Sequence, residues 1–287
     1  MKWISRWKRP TIAPAWEFKT NGILWRLLPS VDGLFVGEDR DVDAKSVSLF
    51  CLDQRTGAVQ WKDVQLKERW WISLEIVHEN VVLACEFATP DMPDFKTIHA
   101  LDLSTGKPLW QNDEARLLFA HGDCVYACKE TYETRIFFEI DLNSGTMLRE
   151  LDAQYIEVLR ETIAANHAES MEFPVTLDLS SIEDSRLRQE IGKVTNRARV
   201  IGPAECIDKG DVLVLAYYND ISTNPLQQVL RQELFLVDKG KARSMYRDVI
   251  SSNSIKAVPD AFFSRENFIY YIKDKRILRA IDLSGKA

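Results

Sequence analysis

The sequence lacks several features that define whole classes of protein. No hydrophobic run approaches the ~20 residues that a helix needs to cross a bilayer. The basic start, residues 1–10, has neither an apolar segment nor a small-residue cleavage site behind it. There are only five cysteines, an odd number scattered through apolar runs, which is typical of buried thiols in a reducing compartment. We therefore expect a cytoplasmic protein without a membrane span or a disulfide framework.

The chain also lacks an excess of positive charge. The chain has 37 Lys and Arg against 43 Asp and Glu, which gives a net charge of −6 and a pI near 5.4. A phosphate-binding surface needs a basic face, so no nucleic-acid partner is expected. The exception is the N-terminal arm, residues 1–14, where four cations and three apolar side chains lie within residues 2–9. This segment suits weak peripheral contact with an anionic membrane.

Histidine, a common metal ligand, is scarce. The four histidines form no pair at the spacing of a zinc site. One acidic loop alternates carboxylates at Asp39, Asp41 and Asp43, as oxygen-ligand loops do, but it lacks the turn glycine and the closing glutamate of an EF-hand. We interpret it as a solvated loop and keep these three aspartates only as weak metal candidates.

What the sequence does contain is an internal repeat. An apolar run ends in Asp, Gly follows four residues after that Asp, and in two copies Trp stands eight residues after it. The strongest copies are residues 49–61 and 98–110, a third covers 137–145, and weaker ones lie at 234–240 and 278–285. Their anchoring aspartates are Asp53, Asp102, Asp141, Asp238 and Asp282. A period of 40 to 50 residues built from short apolar runs and Gly/Asp turns predicts four-stranded propeller blades.

Each motif position has a local physical reason. The Asp side chain accepts hydrogen bonds from backbone N–H groups a few residues on, and Gly supplies the positive φ of a bulged hairpin. The tryptophans, Trp61 and Trp110, are expected on the following strand, packed against a neighbouring blade. We interpret these Asp, Gly and Trp residues as structural.

Counting units predicts an all-β chain forming one β-propeller over residues 15–287, with six four-stranded blades, or alternatively seven. Units are expected to begin near Ile23, Trp70, Ala115, Tyr155, Cys206 and Lys256. The last unit lacks an outer strand, which the N-terminal strand at residues 15–19 could supply, closing the last blade. Two short helices are expected as insertions, one capped near Ser181 and Asp184 and one beginning at Thr223.

The segment Ala-Leu-Asp-Leu-Ser-Thr-Gly-Lys-Pro-Leu-Trp at residues 100–110 resembles the repeat of the quinoprotein-like propellers. That superfamily includes the pyrroloquinoline quinone dehydrogenases and the outer-membrane assembly lipoproteins. The resemblance is strong at residues 49–61 and 98–110 and implies a related propeller. The chain departs from the enzymes, because it has no adjacent cysteine pair, no length for eight blades and no matching ligand set. Pyrroloquinoline quinone is therefore not expected, and no other cofactor is predicted.

Propellers commonly bind partners on the face formed by the links between blades and the loops between the middle strands. Adjacent tryptophans at the start of an innermost strand point to opposite sides, so one can pack in the core while the other stays exposed. Exposed aromatic residues flanked by charge are typical of protein interfaces. The candidate binding-face residues are Arg69, Trp70, Trp71, Glu130, Tyr132, Tyr218 and Asp220.

Two functions remain open from the sequence. No nucleophile, base or metal constellation stands out, so no catalytic residue is predicted, and a non-catalytic, monomeric interaction or scaffold module with an unknown protein partner is favoured. The alternative is a small-molecule-binding or hydrolytic enzyme, of lactonase or glycan type, with a carboxylate-lined central pocket.

Overall fold

The computed structural model describes residues 12–89, 92–130, 134–166, 171–195, 199–224, 226–256 and 261–285. Strands dominate these ranges, as the repeat predicts. The strands are β1 (Trp16–Lys19), β2 (Ile23–Pro29), β3 (Leu34–Asp41), β4 (Ser46–Asp53), β5 (Val59–Val64), β6 (Ile72–His78), β7 (Val81–Thr89), β8 (Met92–Asp102), β9 (Pro108–Asn112), β10 (Arg116–His121), β11 (Cys124–Glu130), β12 (Arg135–Asp141), β13 (Met147–Leu151), β14 (Val175–Leu177), β15 (Val200–Lys209), β16 (Val212–Asp220), β17 (Leu230–Asp238), β18 (Arg243–Ser254), β19 (Phe262–Arg265), β20 (Phe268–Lys273) and β21 (Ile277–Asp282). The helices are α1 (Ala153–Asn166) and α2 (Ser185–Thr195).

The chain divides into two compact units. The first unit joins residues up to 19 with those from 171 onward, and the second unit is residues 20–170. The second unit contains three antiparallel four-stranded sheets, β2–β5, β6–β9 and β10–β13, each paired in chain order. The first unit contains the five-stranded sheet β14–β18 and the four-stranded sheet of β1 and β19–β21. Within each unit the apolar faces of successive sheets form the core.

The Asp–Gly turns form as predicted. Asp53 accepts from the backbone N–H groups of Arg55 and Thr56 at 3.0 and 2.8 Å, and the other anchoring aspartates accept in the same way. Gly57, Gly106 and Gly145 adopt φ values of 70°, 68° and 69°, a region that L side chains disfavour. These residues therefore serve the turns, in agreement with their structural interpretation.

The motif tryptophans join one sheet to the next. Trp61 donates its indole N–H to the carbonyl of Leu103 at 2.7 Å, and a Cβ added at Gly106 would lie 2.8 Å from the Trp61 ring. Trp110 repeats the arrangement one copy later, on the carbonyl of Leu142 at 2.8 Å and against Gly145. Each turn glycine thus leaves room for the tryptophan of the preceding sheet, which is the inter-sheet packing that the repeat predicts.

The N-terminal strand occupies the position of a missing outer strand. β1 pairs with β21, the strand of the last motif copy. In this sheet and in the sheets of the first two motif copies, the tryptophan of the outer strand lies opposite the residue two positions before the anchoring aspartate. The pairs are Trp16–Ala280, Trp61–Cys51 and Trp110–Ala100. Trp16 therefore stands where the last copy would carry its own motif tryptophan, and the predicted pairing of the two chain ends is present in the first unit.

The predicted unit near Tyr155 is wrong. This segment forms α1, whose Ile156 is buried, and the chain after it contributes only β14 before α2. The third motif copy also carries Arg149 where the first two carry tryptophan. Five sheets, rather than six, lie in the described ranges, and one of them has five strands.

The two predicted helical insertions had different outcomes. α2 forms, with the Asp184 carboxylate accepting from the N–H groups of Arg186 and Leu187 at 2.8 and 3.2 Å. Gly192 lies inside this helix rather than behind it. The helix expected at Thr223 is wrong: residues 221–224 and 226–229 are irregular, and the Leu226 side chain is 94% exposed. An apolar stripe without a surface to pack on does not stabilise so short a helix.

All five cysteines are free thiols, and four of them are buried. Burial raises the pKa of Cys51 to about 12, which keeps this thiol protonated and unreactive. Within the described ranges, neither helix is long and apolar enough to span a membrane. The arm residues 2–9 lie outside those ranges, so their membrane contact stays a prediction.

Candidate functional site

A β-bulge displays an exposed tryptophan on the second unit. In the pairing of β2 with β3, Leu24 lies opposite Asp39 and Arg26 opposite Glu38, so Trp25 is the extra residue. Its side chain is 61% exposed, the most of any tryptophan in the described ranges. β-Bulges commonly re-aim a side chain at a functional site. This bulge turns a large aromatic residue out of the sheet.

Trp25 belongs to a continuous stack of four side chains, which we call the tryptophan–arginine cluster: Trp25, Arg40, Trp70 and Trp71. The Arg40 guanidinium lies 5.4 Å from the ring centre of Trp25 and 5.2 Å from that of Trp70. Trp70 and Trp71 then meet edge to face, with ring centres 6.4 Å apart. Cation–π contacts at this distance are favourable, so the stack holds the exposed indoles in fixed positions.

Hydrogen bonds fix Arg40 within the cluster. Its guanidinium donates to the buried carboxylate of Glu38 and to the backbone carbonyls of Trp70 and Ile72. The second oxygen of Glu38 accepts from the N–H of Leu74 at 2.9 Å. The cation therefore ties β3 to the segment that leads into β6 and is not available as a free charge.

The segment between β5 and β6 carries the two adjacent tryptophans. The Glu68 carboxylate accepts from the backbone N–H groups of Trp70, Trp71 and Arg69 at 2.9, 3.1 and 3.0 Å. These donors, led by Trp70, hold the pKa of Glu68 below its usual value. This turn leaves Trp71 38% exposed and Trp70 half-buried. One of the two indoles is thus more exposed than the other, but both precede β6, so the prediction that they begin an innermost strand is wrong.

The other predicted face residues differ in accessibility. Arg69 is exposed, and Glu130 is paired with Arg116 and Arg135 in the second unit. Tyr218 is buried at 6% exposure in the first unit, so its side chain offers little binding surface there. Asp220 accepts from the N–H of Ser222 at 2.8 Å and closes a local turn. Tyr132 lies outside the described residues.

Two of the three weak metal candidates, Asp39 and Asp41, lie on β3 rather than in the solvated loop that the sequence predicts, and both accept backbone hydrogen bonds. Asp39 accepts from the N–H groups of Asn21 and Gly22 at 2.9 and 2.8 Å, and Asp41 accepts from those of Asp43 and Ala44 at 3.0 and 2.9 Å. Asp43 itself is exposed. Across the part of the chain that the structure describes, no group of three or more His, Cys, Asp or Glu side chains is arranged to hold a metal ion.

Two sheets contain the same buried carboxylate arrangement. In the second unit Glu139 binds Arg149 and accepts from the Tyr126 hydroxyl at 3.0 Å. In the first unit Glu233 binds Arg247 and accepts from the Tyr217 hydroxyl at 3.1 Å. Burial and the nearby carboxylate raise the pKa of both tyrosines, so both stay protonated donors. These carboxylates serve as cross-strand ties.

An open groove of about 440 Å³ lies beside α2 in the first unit. Its lining residues are Ser185, Arg188, Gln189, Gly192 and Lys193. The Arg188 guanidinium donates to the carbonyl of Ile182, which leaves its charge partly satisfied. The groove has no carboxylate lining, so it does not match the pocket that the enzyme alternative requires.

Sequence reasoning missed Trp25 and Arg40. It places Arg40 within an acidic loop and Trp25 within an ordinary strand beginning at Ile23. The available signal was the pattern of residues 23–28, Ile-Leu-Trp-Arg-Leu-Leu, which breaks strict alternation as a bulged strand does. Nothing in the linear sequence places Arg40 next to Trp70, because the contact joins residues thirty positions apart.

The chain resembles one protein family and several solved structures. The model of a family described as a domain of unknown function, DUF4905, matches residues 29–110. No curated protein matches the sequence. Among solved structures, a europium-containing methanol dehydrogenase aligns at 12% identity with a TM-score of 0.33, covering 92% of this chain and 52% of its own. The chain thus spans about half of that enzyme's length.

Two further structures are similar at the same level. BamB from Moraxella catarrhalis aligns at 11% identity and a TM-score of 0.29, covering 96% of this chain and 99% of its own. The β-propeller domain of the Trilobed protease from Pyrococcus furiosus aligns at 9% identity and a TM-score of 0.32, covering 94% of this chain and 73% of its own.

Proposed function

We propose that this chain is a non-catalytic β-propeller module that binds a protein partner through the tryptophan–arginine cluster. The propeller assignment is supported by the repeat, by its Asp–Gly turns and by sheets of four strands paired in chain order. The number of blades, the closure of the ring, a monomeric state and a cytoplasmic location belong to the same proposal.

The observation that carries the binding proposal is the exposure of Trp25 and Trp71 on a rigid support. Truncating a hot-spot residue of an interface, a class enriched in tryptophan, costs about 2 kcal/mol or more in binding free energy. Binding also loses less side-chain entropy when the exposed indoles are already held in place in the free protein. The cluster supplies both conditions, because Arg40 is fixed by Glu38 and by two backbone carbonyls.

The test compares three purified proteins as bait in extracts of the native host: the parent, Trp25→Ala combined with Trp71→Ala, and Leu148→Ala. Leu148 is a matched control, because its side chain is 53% exposed on β13 of the same unit. We expect a partner that the parent and the control retain and that the double variant loses by about thirtyfold in affinity. Quantitative mass spectrometry identifies the partner, and calorimetry with that partner purified gives the affinities.

Equal retention of every captured protein by all three baits would remove the cluster from the proposal. The enzyme alternative stays a prediction that rests on a carboxylate-lined central pocket.

A further inference from the structure

The tryptophans of the second unit differ in what their indole N–H groups do. The two motif tryptophans, Trp61 and Trp110, donate theirs to backbone carbonyls at 2.7 and 2.8 Å. The two exposed indoles of the tryptophan–arginine cluster, Trp25 and Trp71, contact other members of the cluster through their rings. Among the described residues, none accepts a hydrogen bond from either of these two N–H groups. Both donors are therefore left for a ligand.

The carboxylates beside the cluster are already engaged. One oxygen of Glu38 accepts from Arg40 and the other from a backbone N–H. One oxygen of Glu68 accepts from the backbone N–H groups of residues 69–71. An indole has a hydrogen-bond donor and no acceptor. The exposed indoles therefore suit a ligand that is rich in acceptors and poor in donors.

The charges next to the cluster are close to balanced. Residues 67–69 carry two cations and one carboxylate, whereas residues 41–45 carry one cation and two carboxylates. These two segments are adjacent, because the N–H of Val47 donates to the carbonyl of Arg69 at 2.6 Å. A surface without a field of one sign does not select a strongly acidic or basic ligand. The described surroundings thus match a neutral ligand.

We propose that the tryptophan–arginine cluster binds a proline-rich segment of the partner in the polyproline II conformation, an inference that rests on the proposed function. A polyproline II helix has no internal hydrogen bonds, so its carbonyls are free to accept from the indole N–H groups. Proline has no backbone N–H and brings no donor that would need an acceptor. Its rings pack on aromatic faces, as in other domains that bind such segments.

Other ligand classes fit the cluster less well. An α-helix uses its backbone carbonyls internally, and an added β-strand brings as many N–H groups as carbonyls. A carbohydrate hydroxyl is both a donor and an acceptor, so a glycan would need acceptor side chains beside the indoles. A cationic ligand would meet the Arg40 guanidinium, which already lies over the rings of Trp25 and Trp70.

The test is a calorimetric titration of decaproline into the full chain, with a peptide of five Gly-Ser repeats as the flexible control of equal length. Trp25→Phe combined with Trp71→Phe keeps an aromatic face at both positions and removes both N–H donors. Leu148→Ala is the matched control variant, because Leu148 is 53% exposed on β13 of the same unit. An unchanged melting temperature in each variant confirms that it is folded.

We expect saturable binding of decaproline, and none of the Gly-Ser peptide, by the parent and the Leu148 variant. The loss of two hydrogen bonds should make binding by the phenylalanine double variant about tenfold weaker. Trp25→Ala combined with Trp71→Ala should abolish binding, because it removes the aromatic faces as well.

The proposal is overturned if the parent shows no saturable binding of decaproline or binds the Gly-Ser peptide equally well. It is also overturned if the phenylalanine double variant binds decaproline as tightly as the parent, since the indole donors would then have no role. Failure of the proposed function is distinguishable from these results. If decaproline does not bind but the alanine double variant still loses a captured host protein, the proposed function stands and only the polyproline II assignment falls.

Discussion

The first two motif copies and the third share the same turn but differ at the position eight residues after the aspartate. In the copies at 49–61 and 98–110, a tryptophan eight residues after the aspartate donates to a carbonyl of the next copy and fills the space above its glycine. In the third copy the same position is Arg149, which binds Glu139 of its own sheet and stacks on Tyr155. The chain then forms α1 instead of another sheet.

This difference shows that the turn and the inter-sheet contact are separate devices. The Asp–Gly turn closes the hairpin in all three copies, whichever residue stands eight positions after the aspartate. The tryptophan adds a contact between consecutive sheets, and its replacement by a charged residue turns the side chain back onto its own sheet. A helix that contacts this sheet then follows it in the chain.

The largest expected effect is from Trp61→Ala. This change removes a buried indole and leaves the Leu103 carbonyl without its donor, and we expect a loss of about 4 kcal/mol in the free energy of unfolding. Urea unfolding followed by circular dichroism measures it. Replacing the equivalent Arg149 by Ala, as the matched variant, should cost much less. Equal losses in the two variants would mean that the tryptophan adds no inter-sheet contact.

A smaller effect is expected from Gly106→Ala. The new Cβ would lie 2.8 Å from the Trp61 ring, and the alanine would have to keep the positive φ of 68°. We therefore expect a loss of about 2 to 3 kcal/mol in the free energy of unfolding. Gly122→Ala is the control, since its φ is 55° and nothing lies within 4 Å of the added atom. The control should lose only about 1 kcal/mol. The difference between the two midpoints of urea unfolding isolates the contact with the tryptophan, and identical midpoints would argue against it.

The smallest expected effect is on the pH dependence of stability that comes from Arg149 in the third motif copy. The Arg149 guanidinium is the main cause of the lowered pKa of Glu139. A carboxyl group whose pKa is lower in the folded state stabilises the fold above its unfolded pKa of about 4.5 and loses that contribution as the pH falls. Arg149→Gln should therefore flatten the dependence of stability on pH between about 3 and 5. Thermal unfolding across this range measures it, and an unchanged slope would show that the ion pair does not contribute.

The sequence predicts the repeated part of the fold well because its information is local. The Asp–Gly turns, the strands around them and the inter-sheet role of Trp61 and Trp110 each follow from a few neighbouring residues. The pairing of the N-terminal strand with the last copy also follows, since that copy lacks an outer strand. The register of this pairing was not predicted: it places Trp16 at the position of the motif tryptophan.

Departures from the prediction arise where contacts distant in sequence decide the structure. The segment near Tyr155 carries strand-like residues but becomes helical, with Ile156 buried and Tyr155 stacked on Arg149. The tryptophan–arginine cluster could be predicted only in part, because Trp70 and Trp71 are adjacent in the sequence whereas Trp25 depends on a bulge and Arg40 on a contact across two sheets. Tyr218 was expected on the binding face but is buried, since residues 212–218 form a continuous apolar and aromatic run.

The proposed function is tested most directly by mapping the surface of the second unit that a partner covers. Once capture identifies a partner, hydrogen–deuterium exchange of the complex should show slowed exchange in β2 and in residues 65–72, the two segments that carry Trp25, Trp70 and Trp71. Exchange unchanged in both segments, with protection confined to other parts of the chain, would contradict the assignment of the tryptophan–arginine cluster as the binding site.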